Sequence, residues 1–236
     1  MTTCDVSVGL LTAPRRPQGS TAPYPAHLTE RWALRDGTPV TIRPIRASDL
    51  ALEQAFVVGL SPQTRYQRLL SGRKLLPGEL KRLTDIDYER EMALVALAEV
   101  EGVQQFFGVA RYVRDDAHGP NSADMAIVVG DAWQGQGLGE TLLRSLMRAA
   151  AGHGVSALTG ITLTTNMRMI ALARKLGFEA RRAHDDASIT DLCWYVHEDV
   201  GLQPPAATAK RRISGGWTAS ERSSPRNGDA EPRVKS

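Results

Sequence analysis

The feature that most limits what this chain can fold into lies in its middle. A short apolar run, Met125–Val129, leads into Gln134-Gly135-Gln136-Gly137-Leu138-Gly139. The residues that follow place Leu138, Leu142, Leu146 and Met147 on one face of a helix. Another strand-like run, Ser156–Thr165, comes next. Strand, glycine loop, amphipathic helix and strand together make a crossover unit, and a crossover of this length joins parallel strands. The fold must therefore be of mixed α/β type.

The flanking signals fill in the layout. Thr41–Arg46 alternates and predicts a strand, with Pro44 suited to an edge. Ser48 is placed to cap a helix carrying Leu52, Phe56 and Leu60, and Ser61-Pro62 reads as the cap and first residue of a second helix. A third short helix is expected between Pro77 and Asp87. Met92–Val100 and Phe106–Arg114 flank Glu101-Gly102 and predict a hairpin. Met169, Leu172, Ala173 and Leu176 share a helical face, and Gly177 ends that helix. Phe178–Arg182 and Ile189–Val196 supply closing strands. The expectation is one α/β (α+β) domain over residues 37–200, a mostly antiparallel mixed sheet flanked by helices.

Charge bears on the class of partner. The pI is near 9.0, which at first suggests nucleic acid. The basic excess sits at the ends: residues from Gly201 onward hold seven Lys/Arg against three Asp/Glu, and residues 1–36 hold four against three. With a total of +3, the middle carries −2. No nucleic acid partner is expected. Residues 1–36 and 201–236 are Pro-, Ser- and Ala-rich without periodicity, and are expected to be disordered tails. No long apolar run and no convincing signal peptide occur, and the two cysteines, Cys4 and Cys193, lie far apart. No membrane association is expected, and a reducing cytoplasm fits. The five histidines show no metal spacing, so no metal is expected.

Three alternating glycines remove Cβ atoms where a backbone approaches a ligand. The first amides of the following helix lack intrahelical partners and lie at the positive end of its dipole, which suits a diphosphate. Two familiar phosphate loops do not match. Glu140 stands where the dinucleotide fingerprint needs its last glycine, and the Gly-Lys-Ser/Thr of a P-loop is absent. A glycine-rich turn with no ligand is the bland alternative.

The stretch Ala126-Ile127-Val128-Val129 followed by Gln134–Gly139 resembles the acyl-CoA signature Q/R-x-x-G-x-G/A of the GNAT acetyltransferase superfamily. Asn166 with Gly177-Phe178 is similar to the second half of that signature. Ile42–Arg46, Leu60–Tyr66, Leu83–Tyr88 and Arg90–Ala93 are similar to the Pat-type bacterial protein lysine acetyltransferases, over roughly residues 38–183. The resemblance implies that acetyl-CoA is the co-substrate. It implies that Ile127, Val128 and Val129 hold the pantetheine arm and that Gln134, Gly135, Gln136, Gly137, Leu138, Gly139, Glu140 and Thr141 form the diphosphate loop. Asn166 would contact the cofactor, and Arg174 could reach its phosphates or stay a surface arginine. The implied reaction is acetylation of a lysine Nε-amine, on a protein such as an acyl-CoA synthetase.

A lysine amine is almost wholly protonated at neutral pH, so the reaction needs a general base. The Pat-type base is a Glu at the start of the strand before the glycine loop. Asp124 occupies that position here, one methylene shorter, and would act through a water. Glu91 is the rival base; its bland reading is a salt bridge to a neighbouring arginine. Two other functions stay open at this stage: acetylation of a small-molecule amine, and a non-catalytic acyl-CoA sensor that lacks a base.

Overall fold

The computed structural model describes residues 22–70, 75–115, 119 and 121–196. Eight strands form one sheet: β1 (Glu30–Ala33), β2 (Pro39–Pro44), β3 (Glu91–Val100), β4 (Val103–Arg114), β5 (Ser122–Val129), β6 (Ala157–Leu163), β7 (Glu179–Arg182) and β8 (Ile189–Tyr195). Their spatial order is β1-β2-β3-β4-β5-β6-β8-β7. Each neighbouring pair is antiparallel except β5 with β6. The helices are α1 (Leu50–Gly59), α2 (Pro62–Leu69), α3 (Pro77–Thr84), α4 (Leu138–Gly152) and α5 (Met167–Lys175). This is the mixed, mostly antiparallel α/β sheet that the sequence predicts.

The strand period of two divides the core between the sheet faces. On one face Met92, Leu94 and Ala96 of β3 meet Leu138, Leu142, Leu143 and Leu146 of α4, together with Ala173 of α5. Each of those four leucines is at most 1% exposed, which stabilises the fold by roughly 1.5–3 kcal/mol apiece. On the other face Ala93, Val95 and Leu97 of β3 and Val109 of β4 meet Phe56 and Leu60, from α1 and its C-terminal end.

Residues 1–36 are expected to be a tail, but Glu30–Ala33 form β1, paired with β2 from Glu30↔Ile42 to Ala33↔Pro39. Leu34 is fully buried in the first core, and Arg148 pairs with Glu30 at 2.5 Å. The buried Leu34, pairing with β2 and an ion pair reaching α4 order a segment that shows no periodicity of its own. Residues 1–21 and 201–236 lie outside the described residues. β2 is internal, not an edge, yet β1 stops pairing at Ile42, so Pro44 has only β3 beside it. Ser48 lies in a 3-10 turn and does not cap α1. The Asp49 carboxylate fixes this corner instead, accepting from Arg46 N at 2.8 Å and pairing with Arg43 Nη1 at 2.7 Å.

Candidate functional site

β5 and β6 pair only from Ser122↔Ala157 to Asp124↔Thr159. Beyond that point no register joins them, although β5 runs on to Val129 and β6 to Leu163. The divergence begins at Gly160, where an added Cβ would lie 2.9 Å from the Met125 carbonyl oxygen. β4 still covers the other edge of β5 as far as Val129. The open edge of β5 from Met125 onward therefore faces a cleft of about 500 Å³. α2 lines one side of it, and Asn166, Met169 and Leu172 line another. Trp133, stacked on the buried Phe107 ring with centroids 3.6 Å apart, also borders it.

The cleft ends on the glycine loop. Gly135 and Gly137 have φ of +76° and +88°, the left-handed region that favours glycine. Gly137 caps α4, and the first bond closing the helix runs from Thr141 N to Gly137 O at 3.2 Å. The amides ahead of it have no carbonyl one turn back. Ile127, Val128, Val129, Gln134, Gly135, Gly139 and Asn166 all line the cleft.

The remaining sequence candidates stand elsewhere. Leu138 is 1% exposed and belongs to the core, leaving only its amide to offer a ligand. The Thr141 hydroxyl donates back to Gly137 O. Gln136 and Gly137 sit at the bend, outside the lining. Glu140 pairs with Lys175 of α5 at 2.6 Å and Arg144 at 3.1 Å. Burial works to raise its pKa, but the hydrogen bonds from Lys175 and Arg144 win and hold it below the usual range. Its side chain ties α4 to α5. Arg174 is exposed, near the C-terminal end of α5 and outside the cleft lining. Asn166 caps α5, accepting from Met169 N at 3.2 Å, and donates to Thr162 Oγ1 at 3.2 Å.

The two candidate bases lie in one row across the sheet, Glu91↔Val113↔Asp124↔Thr159. Residues paired this way point to the same face, here the face carrying α1 and α3. Two strand spacings separate the carboxyl-bearing residues, about 10 Å, too far for both to serve one amine directly. Asp124 is buried, adjacent in sequence to the first cleft-lining residue of β5, and accepts from Thr159 Oγ1 at 2.5 Å. Glu91 lies farther off and pairs with Arg82 of α3 at 3.6 Å.

The α2 wall is built by Thr64, Gln67 and Arg68, which no sequence motif singles out as cleft-lining. Ser61 caps α2 as expected, accepting from Thr64 N at 3.1 Å. Thr64, Gln67 and Arg68 then stand at i, i+3 and i+4, so one helical face meets the cleft. That spacing was readable, but only the tertiary structure reveals what the face looks onto. Asp131, in the 3-10 turn after β5, accepts from Ser61 N at 2.9 Å, Ser61 Oγ at 2.8 Å and Thr64 Oγ1 at 2.6 Å. Gln134 Nε2 donates to Val129 O at 3.2 Å, and Gln134 Oε1 accepts from Arg168 Nη1 at 3.2 Å. Arg35, in the β1–β2 turn, donates to Gly135 O at 3.1 Å. Two arginines thus flank the glycine loop, neither of them evident in the sequence.

The model of the acetyltransferase (GNAT) family matches residues 64–178. An acetyltransferase of Pseudomonas aeruginosa is 35% identical over 162 residues, 67% of this chain and 86% of that protein. The acetyltransferase Pat of Mycolicibacterium smegmatis is 31% identical over 144 residues, 61% of this chain but only 42% of that longer protein. Among solved structures, the GNAT domain of S. lividans PAT superposes with a TM-score of 0.67 at 27% identity, covering 73% of this chain and 99% of that domain. A Salmonella typhimurium structure solved with acetyl-CoA has a TM-score of 0.53 at 20% identity, covering 71% of this chain and 98% of that one, a likeness of fold.

Proposed function

Because the chain belongs to the GNAT acetyltransferase family, with relatives of the Pat type, we propose that it transfers acetyl from acetyl-CoA to the Nε-amine of a protein lysine. The observation that carries this reading is the divergence of β5 from β6. It leaves one main-chain edge of Met125–Val129 without a neighbouring strand, met only at Val129 O by the Gln134 side chain, in a cleft that ends on the glycine loop. A pantetheine arm carries amides and can add to that edge as a strand does, while its diphosphate meets the amides ahead of Thr141. Arg35 and Arg168 bring positive charge to the same end. The fit to acetyl-CoA is thus one of shape, amide pattern and charge.

Acetyl-CoA supplies an activated thioester carbonyl. The chain's residues do the rest. Asp124, directly or through one water, takes a proton from the acceptor ammonium. The free amine attacks, the C–N bond forms, the C–S bond breaks, and the proton that the nitrogen sheds on becoming an amide passes to sulfur, so that CoA leaves as the thiol. An amide of β5 near Val128 or Val129 donates to the carbonyl oxygen as its charge develops. Thr159 holds the Asp124 carboxylate in place. Among the described residues no group could hold a metal ion, and no helix is long and apolar enough to cross a membrane.

The acceptor protein we propose is an acyl-CoA synthetase, supported by the likeness to Pat-type domains. Incubation with labelled acetyl-CoA and either an acyl-CoA synthetase or a panel of small amines tests this. Label on a synthetase lysine is expected. Label passing only to a small amine would overturn the protein acceptor.

A further inference from the structure

Behind the α2 wall, on the same sheet face as Asp124, charged side chains gather in the protein interior. A cavity of about 30 Å³ is lined by Glu53 of α1, Arg65 and Arg68 of α2, and Arg111 of β4. Glu53 and Arg111 are 4% and 7% exposed. Arg111 Nη2 donates to Leu83 O at 2.8 Å. Glu53 Oε2 and Arg68 Nη1 are sealed from solvent and have no hydrogen-bond partner among the described residues. Arg68 and Arg111 thus face Glu53, with Glu91 also acting on Arg111, and Arg65 lines the same space; among the described residues Arg68 Nη1 is left without an anion to accept from it. Burial pushes the Arg68 pKa down to about 10, helped by the like charge of Arg111 and opposed by Glu53. Burial also raises the pKa of Glu53, which weakens the carboxylate charge facing Arg68.

Unpaired buried charge is costly, and proteins retain it where a partner arrives. The partner's route is visible. Among the charged residues lining this cavity, Arg68 is the one that also lines the 500 Å³ cleft. Val128 of β5, where the acyl group would sit, borders both spaces. A group paired with Arg68 would therefore lie beside the reacting amine and not out on the surface. A planar guanidinium with free donors matches a carboxylate in geometry and charge.

We infer that Arg68, backed by Arg65 and Arg111, forms an acceptor subsite for a carboxylate carried next to the reacting amine. This rests on the acetyl-transfer reading and narrows its acceptor. On a protein, the carboxylate is an acidic residue flanking the lysine; on a small molecule, it is the α-carboxylate of a free amino acid.

Two peptides that differ only in Glu or Gln beside the lysine, and free lysine against lysine methyl ester, separate these sources. The wild-type protein is expected to favour the carboxylate-bearing member of at least one pair by about tenfold or more in kcat/KM. Arg68→Gln should reduce that preference to within about twofold, and Arg68→Lys should keep part of it, with the KM for acetyl-CoA little changed. Equal use of both members by the wild type would overturn the subsite. So would an Arg68→Gln variant that slows both members alike, the mark of a structural arginine. If no amine or lysine is acetylated, the acetyl-transfer reading fails by itself. Calorimetry with N-acetylglutamate then decides the subsite: binding lost in Arg68→Gln supports it, and no binding to the wild type overturns it.

Discussion

Thr159 Oγ1 donates to Asp124 Oδ1 at 2.5 Å, joining β6 to β5 at the last paired position before the two strands part. The candidate base therefore sits where the sheet opens. A carboxylate held by a neighbouring strand loses little orientation entropy during the reaction, which offsets the methylene that Asp lacks relative to Glu.

Asp124→Asn keeps the shape and removes the proton acceptor. We expect kcat to fall by about 100-fold or more, with acetyl-CoA affinity nearly unchanged. Glu91→Gln should change kcat only a few-fold, because Glu91 is engaged with Arg82. Steady-state kinetics with titrated cofactor decides between them; a full rate in Asp124→Asn together with a dead Glu91→Gln would reverse the assignment. Thr159→Val should fall between the two.

Gly137 stands at φ +88° as the cap of α4. Gly137→Ala forces a Cβ into the left-handed region, at a cost of about 1–2 kcal/mol. The strain falls on the diphosphate loop, so calorimetry should show acetyl-CoA binding weakened by about tenfold, a larger effect than the loss in thermal stability. Unchanged affinity would place the diphosphate elsewhere.

Arg168 meets the first residue of the glycine loop through Gln134. Arg168→Ala should raise the KM for acetyl-CoA several-fold, and the rise should shrink at high salt. Acetylpantetheine, which lacks the diphosphate, should be used equally by both proteins. If the variant harms both donors alike, Arg168 is positioning Gln134 and does not meet phosphate.

Asp131 ties the start of α2 to the turn before the glycine loop. Burial is the largest single influence and works to raise its pKa, but the hydrogen bonds from Ser61 and Thr64 together outweigh it and hold the pKa below the ordinary 3.8. A depressed carboxylate stabilises the fold above its unfolded pKa, and that contribution is lost as pH falls below about 3.8. Asp131→Asn should lower the melting temperature near neutral pH and reduce its dependence on acid. If α2 carries the acceptor subsite inferred for Arg68, the acceptor KM should rise more than the KM for acetyl-CoA.

Leu142 is fully buried between α4 and the sheet. Leu142→Ala should destabilise the protein by about 2–5 kcal/mol, read from denaturant unfolding.

Much of this was legible in advance because it is local. The 3.6-residue period of Leu138, Leu142 and Leu146 specifies an amphipathic helix in any context, and Gly135 and Gly137 stand where a left-handed bend is needed. Ser61 with Thr64 is a complete cap within four residues. The β1 strand was not legible, because Leu34 and Glu30 gain their stabilising partners from α4, more than a hundred residues away. Arg174 and Arg168 lie on the same short helix, and their spacing alone does not say which one turns toward the cleft.

The sequence by itself determined the crossover, the glycine loop and the presence of a carboxylate near the start of the strand that leads into that loop, since each depends on backbone preference and neighbours a few residues apart. The tertiary structure decided the rest. Only the register Glu91↔Val113↔Asp124↔Thr159 puts both carboxylates on one face and one of them at the opening. Only the packing of α1 on β4 and of α2 on β5 brings Glu53, Arg68 and Arg111 together behind the α2 wall. Charges distant in the chain acquire meaning when burial removes the water that would otherwise screen them.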